Sequence, residues 1–546
     1  MATGQTTVDV GATPQAPQAS TQKQHGKRPF HGHQRKNAKH RRKEKPPQEG
    51  SHEEVLLADI QALLASSKIS DEAENGAVEA EAAPLPEQGT EIEVEVVELS
   101  STGDGLAKRK GSDHIYVVPF SIPGDTVRIK GWTAADFISV VKPSELRDDS
   151  RVQCPYFANC SGCQFQMLDY AEQLKIKKNI VVKAYRNFSQ LDPNLVPEVL
   201  DTIGSPLQYG YRTKLTPHFD GPKGNPRRGP KKSHESMPPF GFTPKNTRQV
   251  LDIEDCPIAT EAVRKGLADE RARLAVEYGK YTKGATILLR ENTKRVPKSS
   301  PTDVPEVPEN TPATALRVES DTHTDFKTCI TDQNATSTEY IDSFVFTNPA
   351  GAFFQNNNSI LPPFTAYIRE HILPPSPPAD AKPIRYLIDA YSGSGLFTIT
   401  QSALFPGGSI GIDIAEKSIA YARRNAALNG LQEAQCRFLA ADAPELFKSV
   451  SAYDPDETVV VLDPPRKGCD ASFLRQLLQF APRRVVYVSC NVHTQARDVG
   501  VLVRGEVEGV EGKKGVRYAI ESIRGFDFFP QTGHVEGVAV LNRVDA

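Results

Sequence analysis

The chain has 546 residues and a formal net charge of −3, so it is too long for one compact core and two to four domains are expected. It holds no run of about 18 apolar residues, which argues against a membrane-spanning helix. The N-terminus carries no apolar signal-peptide core, so the chain's eight cysteines point to metal binding or catalysis rather than to a disulfide framework.

Charge is unevenly placed along the chain. From Lys23 to Lys45 ten residues are Lys or Arg and one is acidic, whereas the stretch from Asp71 to Glu95 is acidic. Such a basic run reads as a solvated tail, a nuclear import signal or a nucleic-acid arm, because clustered cations release counterions from phosphates. Few acids occur early, which leaves a transit peptide open, although no Arg precedes Arg28. Residues 1–90 are accordingly read as a disordered tail, basic and then acidic, holding one short helix. Ser51 and Glu54 make a capping box ahead of Val55, Leu56, Ile60, Leu63 and Leu64 at helical spacing. That apolar stripe suits either a partner or the protein's own surface.

From Glu91 the pattern changes to strands. EIEVEVVEL, a turn at Gly103 to Gly105, HIYVVPF and PGDTVRIKGW predict a small five-stranded barrel of OB type over residues 91–147. Barrels of this shape bind single-stranded or loop RNA along one face, and Lys108, Arg109 and Lys110 lie in a turn where they either meet phosphates or are simply solvated. Strand candidates follow at Tyr209 to Phe219 and Phe240 to Phe242 within residues 148–350, whose reading as a central β-rich domain rests on the family resemblance given below. Within that span, the Pro-, Ser- and Thr-rich stretch from Asn292 to Thr338 is expected to be a disordered surface loop. Residues 351–546 alternate strand and helix: YLIDAY, SIGIDI, TVVVLD and RVVYVSC are buried parallel strands of a Rossmann-like α/β domain.

Three constellations carry chemistry. Cys154, Cys160 and Cys163 are spaced C-x5-C-x2-C, and Cys256 follows remotely before Pro257; four thiolates suit zinc or a four-iron, four-sulfur cluster, and spacing does not choose. After the strand YLIDA, the loop YSGSG lets backbone approach a ligand at the carboxyl end of a parallel sheet. Asp413 ends the next strand, where a carboxylate accepts ribose hydroxyls, and the missing G-x-G-x-x-G argues against NAD. S-adenosylmethionine has a ribose and no phosphates. Asp442 either faces the adenine or caps a helix. Lastly, Cys490 ends the strand VVYVS, with DPPR at Asp463 to Arg466 and HVE ending at Glu536. Arg466 stands where amino-group methyltransferases place a base-stacking aromatic. A lone strand-end cysteine would read as a buried core thiol.

Together DAYSGSG, GID, VLDPPRKG, SCN and HVE resemble the RNA uracil-C5-methyltransferase family, nearest in its eukaryotic tRNA-modifying branch, over roughly residues 90 to 546. The resemblance implies a TRAM domain in GDGLAKRKG and VVPFSIPGDTVRIK, and a structural 4Fe-4S cluster on Cys154, Cys160, Cys163 and Cys256. It implies S-adenosyl-L-methionine bound by Gln355, Tyr391, Asp413 and Asp463, with Leu396 departing from an Asn common in bacterial members. Cys490 becomes the nucleophile that adds to uracil C6, and Glu536 the base that removes the C5 proton. The target must leave its stack, with Phe353, Phe354, Phe528 or Phe529 as stacking walls or as core. The expected product is 5-methyluridine in the T loop of tRNA, the partner being the T arm. A ribosomal RNA target and an RNA-folding protein with secondary catalysis are the alternatives. A soluble, intracellular monomer is expected, in nucleus or cytoplasm, with a mitochondrial pool left open. Residues before about Thr90 are expected to be dispensable for catalysis on isolated RNA.

Overall fold

A computed structural model describes residues 47–75 and 86–544, apart from residue 88 and residues 132–133, 223–231, 246, 376–380, 443–446 and 507–515. The basic run lies outside the described residues. Helix α1 (His52–Asn75) starts where its capping signal predicts: Glu54 N–H donates to Ser51 Oγ (3.3 Å), and Gly50 N–H donates to Glu54 Oε2 (2.6 Å). Its stripe is not left for a partner. Leu56, Ile60, Leu63 and Leu64 pack on Leu106, Ile115 and Val117, and the buried Asp59 carboxylate accepts from Ser101 N–H (2.6 Å) and the Asn187 amide (3.3 Å).

Those apolar partners belong to a five-stranded antiparallel sheet of β1 (Glu91–Leu99), β2 (Gly105–Lys108), β3 (Ile115–Val118), β4 (Thr126–Lys130) and β5 (Asp136–Lys142), in the order β3-β2-β1-β4-β5. Alternation puts Ile92, Val94 and Val96 on the buried face of β1. Helix α2 (Tyr170–Phe188), capped by Asp169, and β6 (Leu200–Ile203) then leave the central region and join the C-terminal sheet. The C-terminal unit therefore begins structurally well before residue 351.

The central region holds short strands β7 (Lys214–Leu215), β8 (His218–Phe219), β9 (Gly241–Phe242), β10 (Leu251–Asp252) and β11 (Ala285–Thr286), with helix α3 (Glu261–Glu277). Its longer strands correct the expected loop at 292–338. β12 (Leu289–Pro297), β13 (Leu316–Glu319) and β14 (His323–Ile330) form one antiparallel sheet with β7, and β15 (Thr336–Ile341) pairs with β16 (Phe344–Pro349). The long stretch without a strand is residues 298–315, where the prolines concentrate. Cross-strand pairs outweigh the composition: Arg295 bonds Asp325 (2.8 Å) and lies over the Tyr340 ring (4.2 Å), Lys327 meets Glu291 (2.7 Å), and a fully buried Arg290 pairs with Glu339.

The C-terminal sheet has eight strands in the order β19-β18-β17-β20-β21-β23-β22-β6. β17 (Tyr386–Ala390), β18 (Gly408–Asp413), β19 (Cys436–Ala440), β20 (Thr458–Leu462) and β21 (Arg484–Ser489) run parallel, and β22 (Arg517–Phe526) and β23 (Glu536–Val544) form an antiparallel pair at one side. Helices α4 (Leu361–His371), α5 (Leu396–Thr400), α6 (Glu416–Leu428), α7 (Ala471–Phe480) and α8 (Val492–Arg504) cover it, with an apolar core on each side. The chain order reverses between β17 and β20, which is where open α/β sheets bind ligands at their carboxyl ends. Among the described residues no helix is long and apolar enough to cross a membrane.

Candidate active site

The β17 carboxyl end turns sharply through Tyr391 (φ 66°), Gly393 (φ 54°) and Gly395 (φ 92°). At Gly395 a Cβ would stand 2.9 Å from the Phe438 ring, so glycine is required there. The Asp413 carboxylate holds this loop to its own strand end, accepting from Gly393 N–H (3.0 Å) and Ala415 N–H (2.8 Å). Each oxygen keeps acceptor capacity for a further donor.

Strand register places the two groups expected to react. β21 is buried along its length, and Ser489 pairs with Gly537 in antiparallel register, which brings Cys490 and Glu536 opposite each other on neighbouring strand ends. Asn491 caps α8 through its side chain (His493 N–H, 3.2 Å), and Ser489 Oγ ties the intervening turn (2.9 and 3.0 Å). Asp463 follows β20 directly, its N–H donating to Ala390 O (3.4 Å).

A cavity of about 680 Å³ is lined by Gln355, Tyr391, Asp413, Asp463, Cys490 and Glu536. The structure thus brings together the four residues that the resemblance implies for the donor and the two it implies for the reaction. Leu396, Arg466, Phe353 and Phe354 line it as well. Asp442 does not; its neighbour Ala441 does. Phe353 is exposed at the rim, Phe354 is buried against Phe346, Phe528 packs in the core on Phe364, and Phe529 faces a different cavity.

The electrostatics are those of crowded acids. Burial, then Glu536 and Asp463, push the Cys490 thiol up to about 12, with Arg466 pulling it down. Burial, with Asp463 beside it, pushes Glu536 up to about 8 against the pull of Arg466. Burial, then Asp389, raises Asp463 to about 7. Asp389 itself was not anticipated as a site residue: it is wholly buried, raised to about 7 by burial, and holds Thr398 N–H (2.9 Å) and Oγ1 (2.6 Å) below the donor loop.

The four spaced cysteines also meet. Cys154, Cys160, Cys163 and Cys256 line one cavity of about 340 Å³ with Phe529, Thr532 and His534 from the loop that leads to Glu536. Burial, with the other thiols adding to it, pushes Cys163 and Cys256 up to about 12. No group of three or more metal-ligating side chains among the described residues stands in the arrangement of a metal-ion site, so the geometry does not by itself carry the expected cluster.

Two further elements had no sequence signal. Lys177 on α2, fully buried, donates to Asp527 (2.5 Å) and to the carbonyls of Phe529 (3.0 Å) and His534 (2.7 Å). Residues of the N-terminal segment reach Cys490: Gly50 and His52 line a small cavity with Arg466, Cys490 and His534. The region before about Thr90, expected to be a disordered tail with one short helix and dispensable for catalysis, thus includes a segment packed beside Cys490.

Residues 332–544 match the family model tRNA (Uracil-5-)-methyltransferase. The tRNA (uracil(54)-C(5))-methyltransferase of Schizosaccharomyces pombe is 42% identical over 92% of this chain and 86% of its own length, and that of Saccharomyces cerevisiae 40% identical over 83% and 73%. The crystal structure of Pyrococcus abyssi tRNA (uracil-54, C5)-methyltransferase, in complex with S-adenosyl-L-homocysteine, covers 82% of this chain and 100% of its own with a TM-score of 0.54 at 23% identity, a likeness of fold. With two-fifths of its residues shared across nearly its whole length, and the Gly393 loop, thiol and carboxyl in one cavity, the chain belongs to the tRNA (uracil-5-)-methyltransferase family.

Proposed function

We propose that the protein methylates C5 of a uracil in tRNA from S-adenosylmethionine, forming 5-methyluridine in the T loop. The observation that carries this is the register of β21 and β23. It sets the Cys490 thiol and the Glu536 carboxyl opposite each other, opening into the cavity that also contains the Gly393 loop and Asp413.

The cavity fits the donor: a glycine turn, an aromatic ring at Tyr391 and carboxylates for hydroxyls, and Gln355 on its wall. S-adenosylmethionine bound there supplies an electrophilic methyl carbon. The chain's own residues do the rest. Arg466 favours the Cys490 thiolate against the neighbouring acids. Cys490 Sγ bonds uracil C6, and the displaced pair makes C5 nucleophilic. After C5 has taken the methyl group, Glu536 accepts the C5 proton, the C5–C6 double bond re-forms and Cys490 leaves. Once ionised, a carboxyl pushed up to about 8 is a stronger proton acceptor than an ordinary one.

The sheet of residues 91–142 is read as the TRAM barrel that grips RNA. The cysteine cavity is read as the seat of a 4Fe-4S cluster, because four thiols share one space and a cubane offers one iron to each. Anaerobically purified protein should contain about four irons per chain; stoichiometric zinc without iron overturns that reading. The activity itself is tested by labelled methyl transfer to a tRNA transcript, mapped by position. A single T-loop 5-methyluridine is expected; label in ribosomal RNA alone redirects the substrate, and no transfer to any RNA sinks the proposal.

A further inference from the structure

The segment leading into α1 is built into the turn that carries the nucleophile. Asn491, next to Cys490, donates its side-chain amide to the carbonyls of Gly50 (3.1 Å) and Arg466 (2.9 Å), and Thr494 Oγ1 donates to Arg466 O (3.1 Å). Glu49 pairs with Arg497 on the same helix (3.0 Å). Gly50 has φ +69°, and a Cβ there would lie 2.6 Å from Thr494 Cγ2. The close approach therefore depends on glycine. Val55 and Asp59 are buried just beyond, so the segment is anchored at both ends.

Between these anchors stands His52. Its ring lies 6.0 Å from that of His534, and with Arg466 and Cys490 the two histidines surround a cavity of about 70 Å³. Arg466 and Cys490 also line the large cavity, so the two spaces meet at the nucleophile. His52 keeps an exposed face. Burial of the remainder, then Arg466, hold its pKa below the ordinary value, so the ring is neutral near pH 7. Pulling a uridine out of its stack bares one face of the adjoining base, and an uncharged aromatic ring beside a guanidinium is a surface on which such a base stacks.

We infer that His52 is a specificity-determining residue of the reacting site, stacking on the nucleotide that adjoins the flipped uracil, and that the Gly50–Asn491 contact positions it. The inference rests on the methyltransferase reading above. Its alternative is that residues 49–55 only staple α1 to α8. Full-length wild type, His52→Ala and His52→Phe are compared for steady-state methylation of a tRNA transcript and for melting temperature. His52→Ala should raise KM for tRNA roughly tenfold, with kcat and KM for S-adenosylmethionine within about twofold, as loss of one base–aromatic contact implies. His52→Phe should restore KM, and neither variant should shift melting. An unchanged KM for tRNA in His52→Ala overturns the inference, as does a His52→Phe protein that remains impaired. Inactive wild type instead counts against the activity.

Discussion

Two clusters of buried charge lie at the two ends of the loop from Asp527 to Glu536, and they follow opposite plans. On one side Lys177 and Asp527, neither with exposed side-chain surface, pair at 2.5 Å, and the Tyr170 hydroxyl (2.9 Å) and Phe529 N–H (3.1 Å) also donate to Asp527. On the other side Asp389, Asp463, Glu536 and Cys490 crowd one buried end of the sheet, and their proton affinities rise together. Packing like-signed groups costs stability, so a fold keeps them where raised proton affinity is used. Compensation of charge thus separates the Lys177 scaffold from the proposed reacting centre more sharply than burial does.

The largest expected effect tests the uncompensated side. Cys490→Ala should lower turnover by more than about a thousandfold, since C5 never becomes nucleophilic without the C6 adduct. Glu536→Gln should allow addition and methyl transfer and then stall, because no group accepts the C5 proton. RNA should therefore comigrate with Glu536→Gln on a denaturing gel and not with Cys490→Ala. Equal adducts from both variants would break the division between thiol and carboxyl.

Removing one partner on the compensated side should act on folding. Lys177→Met leaves a buried Asp527 unpaired and frees the carbonyls of Phe529 and His534, a loss of about 3–5 kcal/mol in urea unfolding. The double variant Lys177→Met/Asp527→Leu should recover much of it. A single variant as stable as wild type would place Lys177 outside the scaffold.

The reacting side was largely legible in the sequence, and the compensated side was not. Strand-end motifs are local: a run such as VVYVS fixes where Cys490 emerges, and the glycine loop follows its strand directly. The partners of Lys177 are set by how α2 docks on the 527–536 loop, and no local pattern on α2 announces a buried lysine. The same distance hid Gly50 from Asn491. At 292–338 the prolines of residues 298–315 masked strands whose evidence lies across the sheet, in Arg295 with Asp325 and Tyr340. Metal geometry was the least legible, because spacing names ligands without fixing how far apart they fold.

A smaller effect follows from the raised carboxyl. Folded Glu536 titrates at about 8 against an ordinary 4.5, so the folded state holds its proton more tightly than the unfolded one. Its contribution is complete below the ordinary value and is lost as pH rises through about 8. Glu536→Gln lacks this loss. Its stability relative to wild type should climb by about 2 kcal/mol between pH 6 and pH 8, read from urea unfolding at each pH. A difference that is flat with pH would mean the carboxyl is not strained by its surroundings.

The smallest expected effect isolates burial from pairing. Arg128 and Glu93 face each other across β4 and β1 at 3.0 Å, as close as many buried pairs, yet about half of each side chain is exposed (46% and 50%). Water screens both charges whether or not they meet, and holding two long side chains in one geometry costs entropy. Arg128→Ala should therefore change stability by less than about 1 kcal/mol, and by still less at high salt. A loss approaching that of Lys177→Met would show that pairing alone sets the cost, and the contrast between the two buried clusters would then need another physical basis.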